Sequence, residues 1–92
     1  MNEITEFGIP LTTLEQIVAI FSKQPNIEWV KLYGSRAMGT FEKGSDIDLS
    51  FLSKGPDITG PLLITLDELP TPYKFDLTNY SLIQNIALKD HI

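Results

Sequence analysis

Asp46 and Asp48 stand two apart in an otherwise apolar run, and a Gly-Ser pair, Gly34-Ser35, closes an earlier one. Residues two apart on a strand point to the same face, so the two carboxylates are expected to be neighbours. Neighbouring carboxylates repel, and one pKa rises unless a cation neutralises them. A divalent metal removes that penalty, and Mg²⁺ is typically held by one or two carboxylates, waters and substrate phosphates. Asp76 lies in a later alternating run. If that run pairs with 46–52, three carboxylates from two strands form an arrangement able to hold two metals for an in-line phosphoryl or nucleotidyl displacement.

The Gly-Ser pair supplies the complementary half. Gly34 permits a tight turn and close backbone approach. Ser35 then opens a short helix whose free N–H groups, with the hydroxyl, suit phosphate oxygens. Arg36 offers either a cationic fork to phosphate or an ion pair with a carboxylate. Taken singly, Gly-Ser is a turn and Asp-x-Asp a solvated strand face; their conjunction carries the chemistry. Gly34-x₄-Gly39 resembles the start of a P-loop, but Thr40 stands where the phosphate-binding Lys is needed, which excludes that motif.

These residues need a framework. Residues 1–11 read as irregular, with Phe7, Ile9 and Leu11 free to pack around Gly8 and Pro10. Thr12 and Glu15 match a capping box. Leu14, Ile17, Val18 and Phe21 form one helical stripe, and Pro25 ends it. Ile27–Tyr33 reads as a strand with apolar residues on both faces, hence a central one. Trp29 is expected to pack in the core, although Trp29 and Tyr33 could also stack on a base. Residues 46–52 alternate Ile47, Leu49 and Phe51 with Asp46, Asp48 and Ser50. Residues 58–69 read as a helix capped by Thr59, with Pro61 in its first turn. Residues 73–78 form a third strand, and Ser81 begins a last helix carrying Leu82, Ile83, Ile86 and Ile92. His91, the sole histidine, is expected at the surface near a fraying end.

Composition limits the partners. Ninety-two residues make one domain, 1–92, burying about 60–65 % of the unfolded surface. That leaves no room for a deep enclosed chamber, so a large substrate must lie on an open face or be completed by a partner. The 12 acidic residues outnumber the 7 basic ones for a net charge of −5. No basic surface is available for direct nucleic-acid binding. No run reaches the ~18 apolar residues of a membrane span, no signal peptide is visible, and the absence of Cys excludes disulfides and thiolate metal sites. A cytoplasmic location is expected.

Tyr33-Gly34-Ser35-Arg36-Ala37-Met38-Gly39-Thr40, followed by Gly44-Ser45-Asp46-Ile47-Asp48-Leu49, resembles the Gly-Ser-x₁₀-Asp-x-Asp signature of the minimal nucleotidyltransferases. These belong to the DNA polymerase beta-like nucleotidyltransferase superfamily. Met38 stands where that family often has Arg. Phe7-Gly8-Ile9 and Lys74-Phe75-Asp76-Leu77 extend the likeness over most of the chain.

The resemblance implies an α+β fold, a small mixed β-sheet with flanking helices in the polymerase beta-like palm arrangement. It implies Mg²⁺-dependent transfer of AMP from ATP, with pyrophosphate leaving. Asp46, Asp48 and Asp76 would be the catalytic and metal-binding residues, with Asp76 activating the acceptor hydroxyl. Gly34 and Ser35 would bind the triphosphate, assisted by Arg36 and Ser45. The implied partner is a HEPN-type helical protein, in the family's role of antitoxin in a type VII toxin–antitoxin system that adenylylates a toxin tyrosine. Two other readings stand beside it: a module that neutralises a partner by contact alone, and one subunit of a two-chain small-molecule nucleotidyltransferase.

Overall fold

The computed structural model describes residues 3–92. Its elements run α1 (Leu11–Ser22), β1 (Ile27–Tyr33), α2 (Ser35–Met38), β2 (Ile47–Ser53), α3 (Thr59–Asp67), β3 (Phe75–Asn79), a 3₁₀ turn (Tyr80–Leu82) and α4 (Ile86–His91). The strands form one sheet in the order β1-β2-β3. β2 pairs antiparallel with β1 and parallel with β3. This is the expected mixed sheet with flanking helices, but the central strand is β2. β1 lies at the edge. Val30 and Leu32 face the core, whereas Trp29 and Tyr33 on the other face are met by side chains from the end of β3 and not by a second layer.

The period-2 alternation of β2 decides which face is dry. Ile47, Leu49 and Phe51 are buried, as are Phe75 and Leu77 of β3, and they meet Ile17 and Phe21 of α1 and Leu62 and Leu66 of α3. The Phe21 and Phe51 rings lie 6.3 Å apart. Ile9 is fully buried in the same cluster, so the N-terminal segment is part of the core. The opposite face carries the polar residues of β2 and β3. Among the described residues, no helix is long and apolar enough to cross a membrane.

Helix ends depart from the expected ones. α1 begins at Leu11 behind Pro10, with no side-chain cap, so Thr12 lies inside the first turn and the capping box is not formed. At α3 the N-cap position is Ile58, which has no side-chain cap, and Thr59 is the first helical residue; Asp57, one residue ahead of the cap, accepts through Oδ1 from Thr59 N at 3.0 Å and from Thr59 Oγ1 at 2.5 Å. The same oxygen accepts from Asn79 Nδ2 at 3.0 Å, which ties the start of α3 to the end of β3. These three donors hold the Asp57 carboxyl below its usual pKa. The expected last helix is broken in two. Asn79 Oδ1 caps the 3₁₀ turn through Ser81 N at 3.1 Å, Ile83 is extended, and Asn85 Oδ1 caps α4 through Leu88 N at 3.2 Å. Asn favours such caps over helix interiors, so a second Asn within one apolar stripe restarted the helix.

Candidate active site

Three loops and strand ends meet at one end of the sheet. The register places Tyr33 beside Asp48 and Asp48 beside Asp76. Paired residues on neighbouring strands project to one face about 4.8 Å apart. Tyr33, Asp48 and Asp76 thus form a row across the sheet on the face away from α1 and α3. Asp46 stands two residues before Asp48, exposed at the mouth of β2. The three carboxylates singled out by spacing are therefore gathered on one face. Burial pushes the Asp48 carboxyl up, the charges of Asp76 and then Asp46 push it further, and Arg36 draws it back.

Gly34 follows Tyr33 with φ +76°, and a Cβ there would collide with Asp48 Oδ2. The glycine is required twice, for the left-handed turn and for the approach of the carboxylate. Ser35 is the first residue of α2 and half-buried, and its hydroxyl has no hydrogen-bond partner among the described residues. Ser45 is placed differently. Its hydroxyl accepts from Glu42 N at 2.8 Å and is used in shaping the loop ahead of Asp46.

Arg36 also departs from the expected phosphate fork. It is 2 % exposed. Nε and Nη2 donate to Ser45 O at 3.1 and 2.8 Å, and Nη1 donates to Phe7 O and Gly8 O at 3.0 and 3.3 Å. The guanidinium lies 5.1 Å from the Phe41 ring centroid and 4.9 Å from that of Tyr73. Buried and bonded to three carbonyls, it is a strut between the N-terminal segment and the residue preceding Asp46.

Residue type and spacing give Tyr33 at most a base-stacking role and none to Thr78 or Ser50. Tyr33 Oη lies 3.2 Å from Thr78 Oγ1, so its ring spans β2 and walls one side of the carboxylates. Burial raises the Tyr33 pKa, the Thr78 hydrogen bond opposes this, and Asp76 and Asp48 raise it further. Ser50, register partner of Thr78, is fully buried with an unpartnered Oγ. The alternation of β1 put Tyr33 and Trp29 on one face, but the pairing that brings that face to Asp48 is not written in either run alone. Trp29 is half-buried outside the core, edge-on to Tyr80 with centroids 5.1 Å apart.

The sequence model of the family "Polymerase beta, Nucleotidyltransferase" matches residues 15–92. The chain belongs to this nucleotidyltransferase family. The matched span includes Gly34-Ser35 and all three carboxylates of the polar face. The fold is also similar to that in a crystal structure from Sulfolobus solfataricus, described as a candidate nucleotidyltransferase, with TM-score 0.53 and 24 % identity over 89 % of this chain and 72 % of that one. No curated protein matches the chain.

Nucleotidyltransferase domains generally use divalent metals. Among the described residues, no three acidic or histidine side chains are drawn close enough to make a closed metal cage. The donor set nevertheless fits Mg²⁺, which is bound by one or two carboxylates with waters and substrate phosphates completing its shell. Burial is the larger cause of the rise at Asp48, and the repulsion from Asp76 and Asp46 that adds to it is the kind a divalent cation relieves.

Proposed function

We propose that this nucleotidyltransferase domain transfers AMP from ATP to a hydroxyl of a partner protein, a tyrosine of a HEPN-type helical toxin, and so acts as its antitoxin in the cytoplasm. The observation that carries the transfer is the row Asp48–Asp76, with Asp46 on the same face and Gly34-Ser35 at the same sheet end. In this reading Ser35, whose hydroxyl is free, takes phosphate oxygens of the donor. Asp46 and Asp48, with Asp76, would hold Mg²⁺, which when bound neutralises charge on the triphosphate and the carboxylates. Asp76 is exposed and takes the proton from the acceptor hydroxyl as its oxygen attacks the α-phosphorus and pyrophosphate leaves. Arg36 acts at one remove, fixing the loop that delivers Asp46.

A protein acceptor is supported by the exposure of Asp46 and Asp76 on an open polar face, where a large substrate can reach them. A helical partner is supported by Leu82 and Ile86, apolar side chains 61 % and 75 % exposed near the C-terminal end. The test is incubation with Mg²⁺, ATP labelled in the α-phosphate, and the helical partner. Label is expected on the partner with the parent, and about 10²–10⁴-fold less with Asp76→Asn, which loses the base. Equal labelling by the parent and Asp46→Asn/Asp76→Asn would remove catalysis from this face. Neutralisation of the partner without labelling would favour the contact-only module.

A further inference from the structure

A cavity of about 580 Å³ opens beside Asp46, lined by Lys43, Gly44, Pro72, Tyr73 and Lys74 as well. Ile47 N donates to Lys74 O at 2.8 Å, which sets Lys74 next to Asp46 where β2 and β3 begin. Lys74 is exposed and lies two residues before Asp76, just ahead of β3. Neither lysine side chain has an ion-pair or hydrogen-bond partner among the described residues. Two unpaired ammonium groups thus border a cavity at the catalytic end of a chain whose net charge is −5.

The position of the cavity indicates its use. Gly34 and Ser35 follow β1, on one side of β2; Lys74 precedes β3, on the other. Neither Gly34 nor Ser35 lines the cavity. With the donor phosphates at Ser35, the cavity lies on the acceptor side of the carboxylates. We propose that Lys43 and Lys74 form an acceptor subsite for an acidic polypeptide segment, so that the accepting hydroxyl is carried close to Asp or Glu side chains. This rests on the assignment of Ser35 to the donor. The lysines offset the repulsion that an acidic segment meets from Asp46, Asp48 and Asp76, and Pro72 and Tyr73 give its apolar atoms a wall.

The test is a binding titration followed by backbone amide NMR, with no turnover required. The probes are a tyrosine peptide flanked by glutamates, its lysine-flanked counterpart, AMP, and Mg²⁺ with a non-hydrolysable ATP analogue. The glutamate peptide is expected to move the amides of Lys43, Gly44, Tyr73 and Lys74, and the lysine peptide to leave them in place. Lys43→Glu/Lys74→Glu is expected to weaken the glutamate peptide by about tenfold while the ATP analogue still moves Gly34 and Ser35. Lys43→Gln/Lys74→Gln, a milder pair, should weaken it in the same direction if the reversed charges disturb the fold. The proposal is overturned if both peptides bind alike, if neither reaches the cavity, or if AMP or the ATP analogue is what moves Lys43 and Lys74. An ATP analogue that leaves Gly34 and Ser35 unmoved refutes the donor assignment instead, whatever the peptides do.

Discussion

Asp48 sits between opposing demands, because burial and two neighbouring carboxylates favour its neutral form while Arg36 favours its charge. Its folded pKa lies above the unfolded one, so the unfolded chain releases this proton first as pH rises. Stability therefore falls with rising pH through the window just above the ordinary carboxylate range, and the cost remains at neutral pH. Asp48→Asn should melt above the parent at pH 7 and level with it well below both pKa values, as followed by circular dichroism. Mg²⁺ should raise the parent's midpoint at pH 7 and have much less effect on the variant. Gly34→Ala is expected to cost about 1–3 kcal/mol in urea unfolding from its left-handed φ alone, with more from the Asp48 collision. It should also weaken nucleotide binding, because Ser35 follows directly. Both residues were legible in the sequence, since Gly-Ser and Asp-x-Asp declare themselves by type and spacing. Arg36 was legible as important and not as buried: a guanidinium serves phosphate and carbonyls equally well, and only the approach of Phe7, Gly8 and Ser45 decides between them.

At the scale of elements, the alternating runs gave all three strands to within a residue or two, because period-2 burial against α1 and α3 leaves a plain record. Their order was not legible. Apolar residues on both faces of β1 suggested a central strand, but the second face is covered by Tyr33–Thr78 and Trp29–Tyr80 contacts from residues more than forty positions away. Helix ends were legible only in part, because Pro10 and Ile58 hold the cap positions although Thr12 and Thr59 fit them better by type. The loop between α2 and β2 depends on Arg36 more than on its own turns. Arg36→Lys keeps a charge but loses the fork on Ser45 O and the stacking on two rings. It is expected to cost about 1.5–3 kcal/mol and to lower the amide-exchange protection of residues 7–9 and 42–46 more than that of β2, loosening the two segments first. Hydrogen exchange by mass spectrometry checks this.

For the whole molecule, one end of a three-stranded sheet carries the chemistry and one helix-covered face carries the core. The division follows from composition: a chain of 92 residues has one dry face to spare, and its acidic residues must take the wet one. Leu82 and Ile86 lie outside that division, exposed although apolar. Leu82→Ser/Ile86→Ser should leave unfolding within about 0.5 kcal/mol of the parent and weaken association with the proposed helical partner, measured by calorimetry, by about tenfold or more. The pairing of Trp29 with Tyr80 has a practical consequence as well. Trp29 is the sole tryptophan, and it is held against the first residue of the 3₁₀ turn, with Lys31 4.8 Å from its ring centroid. Its emission is therefore a built-in optical reporter of whether the C-terminal segment is seated on the strand that leads into Gly34. A red shift on Tyr80→Ala, in a protein that still melts cooperatively, would establish the signal, and rapid mixing with nucleotide or partner would then show in real time whether that seat shifts when the far end of the same strand is occupied.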